Sequence, residues 1–160
     1  MGRFMSMITC LAMGVLLCTT VAWTQAGHGK VADEVISITK AEWSALMSKN
    51  TGKAMQDIHK DCTMWVPEYP NRLNGKDAIY KFTDARATGT GSLIMAEMAN
   101  EHVQVFGDVA ILSYNFMGMN KDKEGKTTPS LAKSSRVYVN QGGKWLLVHA
   151  NFAPVGNDEQ

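Results

Sequence analysis

The sequence predicts an α+β fold in which helices, coming first, cover one face of a curved antiparallel sheet. Three observations lead there. Apolar residues recur at helical spacing over Val31–Lys49 and again over Lys76–Arg86. From Ser92 onward the period changes to two. The period-two runs are joined by Gly107-Asp108, by the mixed-charge tip Lys121–Lys126 and by Gln141-Gly142-Gly143-Lys144, all suited to hairpins.

The first stretch differs in kind from the rest. Arg3 precedes an apolar run from Phe4 to Ala22, and Thr24-Gln25-Ala26 offers small residues where a signal peptidase reads. A signal peptide over 1–26, cleaved after Ala26, is therefore expected, giving an exported product, periplasmic or secreted, that is not held in the membrane. The competing reading is a retained anchor, because the run approaches the ~18–20 apolar residues that span a bilayer. Lipidation at Cys18 is opposed by the bulky Leu17 before it. A short tail (27–31) leads into one domain (32–154), and a second tail (155–160) closes the chain.

Within the domain, Val35, Ile38, Trp43, Leu46 and Met47 share a helical face, so Val31–Lys49 is expected to be a long amphipathic helix. Asn50-Thr51-Gly52 breaks it. A short second helix through Met55 and Ile58 is expected to end near His59 or Lys60. Cys62–Val66 is a strand-like run stopped by Pro67, which has no amide hydrogen for a sheet ladder. Glu68–Arg72 is a loop, Asn74-Gly75 a turn, and Lys76–Arg86, with Ile79 and Phe82 three apart, a third helix closed near Gly89 and Gly91. The remaining strands are expected at Ser92–Phe106, Val109–Met119, Thr127–Asn140 and Trp145–Phe152.

Composition limits the chemistry. Without residues 1–26 the chain keeps 15 Lys plus Arg against 15 Asp plus Glu, and these are scattered. There is no basic stripe with interleaved aromatic residues, which argues against nucleic acid. Only Cys62 remains, so no internal disulfide can form, and its neighbour Asp61 disfavours a thiolate. No nucleophile elbow, phosphate loop or zinc-ligand spacing occurs. No cofactor and no metal are expected. Met95, Met98, Met117 and Met119, with His102 nearby, could offer soft ligands to Cu(I), but methionine is more ordinarily a filler of cores.

Alternation places Tyr114 and Phe116 on one face of their strand and Ser134, Arg136 and Tyr138 on one face of theirs. If Gln141–Lys144 closes the last hairpin as a four-residue loop, Arg136 pairs with His149 and Ser134 with Asn151. A preceding hairpin centred near Gly125 puts Tyr114 opposite Arg136. Tyr114, Arg136 and His149 would then form a row over three strands, and a slip of one residue would separate them. An inward arginine needs a carboxylate or an anionic ligand; Glu68, Asp57 and Asp61 are the carboxylates expected near the mouth. Trp65, Tyr69 and Tyr80 could line a pocket, whereas Trp43 and Trp145 are read as core.

Ser134-Ser135-Arg136-Val137-Tyr138, Gly143-Lys144-Trp145 and Val148-His149-Ala150-Asn151 resemble the closing strands of the calcium/calmodulin-dependent protein kinase II association domain and of SnoaL-like proteins. The likeness continues through Pro67-Glu68, Leu73-Asn74-Gly75-Lys76-Asp77 and Gly107-Asp108-Val109-Ala110. It implies a nuclear transport factor two-like cone, a bent antiparallel sheet wrapped round a long N-terminal helix with two shorter ones, enclosing a deep pocket. It also implies that Arg136, His149 and Tyr114 are pocket residues. Phe116 and Asn151 stand where the kinase domain has an arginine and a second histidine, so a less cationic pocket is implied.

Two functions follow as expectations. One is an exported module that self-associates as a homodimer or larger homo-oligomer, or binds a small polar or weakly anionic molecule through Arg136, His149, Asn151, Tyr114, Trp65, Glu68 and Ser134. The alternative is a small cofactor-free enzyme of isomerase, cyclase or dehydratase type. In it His149 would be the base, with Arg136 and Tyr114 steadying a developing enolate. The strand Val109–Met119 lacks Asp and Glu, which tells against the ketosteroid isomerase pattern.

Overall fold

The computed structural model describes residues 17–88 and 91–155, with side chains from Gly29 onward. Residues 1–16 of the expected signal peptide, and 156–160 of the expected C-terminal tail, lie outside the described residues. The element order is α1 (Leu17–Met47), α2 (Thr51–Ala54), β1 (Ile58–Trp65), β2 (Leu73–Asn74), α3 (Lys76–Thr88), β3 (Ser92–Phe106), β4 (Val109–Lys121), β5 (Thr127–Gln141) and β6 (Lys144–Pro154). This is an α+β fold with one curved six-stranded sheet, ordered β2-β1-β6-β5-β4-β3.

Helix α1 buries Val35, Thr39 and Trp43, each four residues from the last, and half-buries Ile38 and Leu46 beside them. It starts earlier than expected and includes the stretch read as a tail, 27–31. Gly27 and Gly29 weaken a helix by about 1 kcal/mol each but leave its hydrogen-bond ladder intact, and no proline forces a stop. Its C-terminus is a left-handed cap: Lys49 takes φ 57°, and the amides of Lys49 and Asn50 return to the carbonyls of Leu46 and Ala45. No helix among the described residues is long and apolar enough to cross a membrane.

The second helix is shorter than expected. Asn50 caps it by accepting the Lys53 amide at 2.9 Å, and the helix ends at Ala54. Ile58, His59 and Lys60, expected to be helical, open β1 instead. Tertiary pairing overrides local preference here, because β1 lies parallel to β6 and antiparallel to β2. Gly75 takes φ 84° and donates its amide to Cys62 O, turning the chain into α3.

Strands β3 to β6 form an antiparallel meander. Leu112, Tyr114, Ser134, Arg136, Tyr138, Leu147 and Ala150 are buried on its inner face, against α1, Cys62, Met64 and Ile79. A large aliphatic side chain such as Leu112 or Leu147 stabilises the fold by about 1.5–3 kcal/mol when wholly buried. The hydroxyl of Thr39 ties helix to sheet, 2.7 Å from the Tyr138 phenol.

The expected register of the last hairpin holds only at its closed end. Asn140 faces Trp145 and Tyr138 faces Leu147, but Val137 then faces His149, leaving Val148 unpaired in a bulge. Beyond it Arg136 faces Ala150, Ser135 faces Asn151 and Ser134 faces Phe152. The shift is one residue, so His149 and Asn151 turn to the outer face and the expected row with Arg136 is not formed. The preceding hairpin differs by two residues, with Tyr114 opposite Ser134 and Leu112 opposite Arg136. An even shift preserves faces, so Tyr114 stays inside.

Candidate functional site

Between α1, α3 and the inner face of the sheet lies a cavity of about 520 Å³. Most of its wall is apolar, with Trp43, Met64, Ile79, Phe82, Phe116 and Phe152 among the lining residues. Trp43 meets Phe116 edge to face at 5.3 Å and tilts over Tyr114 at 5.6 Å, so the indole fixes two strand aromatics at once.

Arg136 and Glu42 are a charged pair in the wall of this cavity. The guanidinium Nη1 donates to Glu42 Oε2 at 2.5 Å, Nη2 to Oε1 at 3.2 Å, and Nε to the Tyr114 hydroxyl at 3.0 Å. The side chains of Arg136 and Glu42 are 1% and 10% exposed. Trp43 and Phe152 present their rings 6.0 and 5.4 Å from the guanidinium carbon. Burial works to lower the Arg136 pKa, but the Glu42 carboxylate, then Tyr114 and Tyr138, hold it well above its ordinary value. Burial pushes the Tyr114 phenol up, with Arg136 pulling the other way. Ser134 Oγ is buried near that phenol yet meets no described residue at hydrogen-bonding geometry.

At the mouth, Glu68 accepts from Arg86 Nη1 at 2.9 Å, tying the loop after β1 to α3. Tyr69 packs on Phe82 at 5.9 Å, with Arg86 over the same ring. Asp57 does not reach the cavity wall and pairs with Lys144 at 2.9 Å, while Asp61 pairs with Lys60 in solvent.

The sequence-expected site residues are thus distributed over three places. Arg136 and Glu68 line the cavity, and Tyr114 and Ser134 are buried behind its wall. His149 lies on the outer face, its Nδ1 2.8 Å from Thr63 Oγ1 of β1. Asn151 is exposed there too, next to Trp65 at 43% exposure. Tyr80 is also exposed, whereas Trp43 and Trp145 are buried. Cys62 is buried and its thiol is pushed up to about 12, chiefly by burial and then by Glu42.

The model of the calcium/calmodulin dependent protein kinase II association domain matches residues 31–156. The chain belongs to that family. The fold of this association domain is shared by the hub homology domain of Chlamydomonas reinhardtii, at 22% identity and TM-score 0.65, covering 79% of this chain and 98% of that one. The association domain of C. elegans CaMKII gives 19% identity and TM-score 0.66 over 79% and 98% of the two chains. A nuclear transport factor 2-like superfamily protein from Salmonella enterica gives 14% and 0.68 over 82% and 98%. No curated protein sequence matches at a significant level.

In this association domain the residue that sequence reasoning missed is Glu42. It was legible in principle, since it stands three residues after Thr39 and seven after Val35, on the buried face of α1. Acid–base chemistry at the cavity would need a group free to exchange a proton. The described charged groups lining it, Glu42 with Arg136 and Glu68 with Arg86, are engaged with each other.

Proposed function

We propose that this association domain is an exported, non-catalytic module that associates with further copies of itself through the outer face of its sheet, and holds a small molecule in its cavity. The observation that carries the reading is what that outer face presents. Register aligns Phe106, Val109, Val139 and Leu146 in one row across β3 to β6, and Gln104, Ile111, Val137 and His149 in the next. Phe106 is 60% exposed, the most exposed of the large apolar side chains described. A contiguous apolar strip on an antiparallel sheet is suited to face-to-face packing with a second sheet. The association and hub domains that share its fold support the reading.

The acid–base alternative loses its main support, because His149 belongs to the outer strip and not to the cavity wall. Export rests on Arg3, the apolar run and Thr24-Gln25-Ala26; N-terminal sequencing of the protein recovered from its natural host should begin at Gly27. Sedimentation equilibrium at about 10–100 µM tests association, a range in which a standard-sized interface holds. A mass of two or more chains is expected. The mass of one chain throughout would refute the module reading.

A further inference from the structure

The described cavity wall carries four charged side chains, and each is matched within the wall itself. Arg136 and Glu42 make a two-point pair at 2.5 and 3.2 Å, and Glu68 and Arg86 meet at 2.9 Å. The first pair is nearly enclosed, at 1% exposure for Arg136 and 10% for Glu42, and borders the cavity. Everything else named along the wall is apolar or neutral, with Thr83, Asn120 and Thr128 among the neutral polar residues and Trp43, Phe116 and Phe152 among the aromatic ones.

We infer that Glu42 is a built-in counter-anion, and that the cavity takes a neutral amphiphile, an apolar body with one hydroxyl or amide head, in preference to a carboxylate. This rests on the ligand-binding part of the proposed function. An entering carboxylate would find its natural partner, Arg136, already held by Glu42. To bind it must either displace that carboxylate or lie beside it, and two carboxylates sharing one desolvated guanidinium leave a net buried negative charge. A hydroxyl or amide brings no charge and can donate to the edge of Glu42 that faces the cavity. The apolar body then takes the place of water against Trp43, Phe116 and Phe152, and shape more than charge sets the affinity.

Octanol and octanoate share an apolar chain and differ in the head, so isothermal titration of the full-length protein with each at pH 7 tests the inference. Octanol should bind at least tenfold more tightly than octanoate. In Glu42→Gln the order should reverse, with octanoate gaining at least tenfold, octanol changing less than threefold, and octanoate raising the melting temperature of the variant but not of the parent. Equal or tighter binding of octanoate by the parent overturns the inference, as does no gain in Glu42→Gln. If that variant does not fold, the parent comparison decides alone. Binding of neither compound refutes the ligand-binding reading itself, an outcome distinct from reversed selectivity.

Discussion

A guanidinium as fully enclosed as that of Arg136 can remain in a core only if its charge is answered on the spot. Glu42 answers it, and removing either partner strands the other. Arg136→Met alone should therefore cost about 3–5 kcal/mol of stability. Removing both charges in Arg136→Met with Glu42→Leu should recover most of that loss, a coupling that urea denaturation of the four proteins measures directly. Cys62 supports a pH prediction. Its folded pKa, raised to about 12, exceeds the 9.0 of an unperturbed thiol, so the unfolded chain loses the proton first as pH rises. The stability this thiol contributes is complete below about pH 9 and declines as pH climbs toward 12. Tyr114 and Tyr138, also raised by burial from 10.0, add to the loss in the same direction. Urea midpoints should stay level up to about pH 9 and fall above it, and Cys62→Ala should delay the onset. Arg136 and Tyr114 were legible as inward residues because alternation along a strand is a local property. Glu42 had a local signal in its place seven residues after Val35 on the apolar face of α1, but its partner had none, because nothing local marks a carboxylate that meets an arginine 94 positions away.

At the scale of elements, β3 and β5 end within a residue of where the change of period puts them, because glycine tips and alternation are written into consecutive residues. Two things were not written locally. The start of β1 depends on a parallel partner at the far end of the chain, so Ile58–Lys60 follow β6 rather than their own preference. The bulge at Val148 lies within Leu146-Leu147-Val148, where one apolar residue more or less leaves no mark in composition. That single extra residue moves His149 from the cavity to the outer face. Gly118 offers a test of how closely β4 fits its surroundings: a Cβ there would lie 2.5 Å from the Phe116 ring and 3.3 Å from Met95 O. Phe116 is held by Trp43 and borders the cavity. Gly118→Ala should then cost about 1–3 kcal/mol, as overpacked cores do, and lower the thermal midpoint accordingly.

Over the whole molecule, the sheet separates two surfaces of different character. Its inner side closes on α1 and a cavity whose charged groups answer one another, and its outer side carries apolar rows with His149 among them. The fold and its family follow from the order of the elements and from short stretches spread along the chain. The placement of the functional side chains depends on one bulge and one helix-to-sheet ion pair. In the assembly proposed above, copies meet through the outer side of the sheet and not through the cavity. Ile111 and Val137 face each other at its middle, while Glu68 stands at the cavity mouth. The most direct measurement is the sedimentation mass of Ile111→Asp and Val137→Asp beside Glu68→Gln, with circular dichroism to verify folding. Single-chain mass for the two outer-face variants, with association retained by Glu68→Gln, is the predicted result. Folded outer-face variants that remain associated would contradict it.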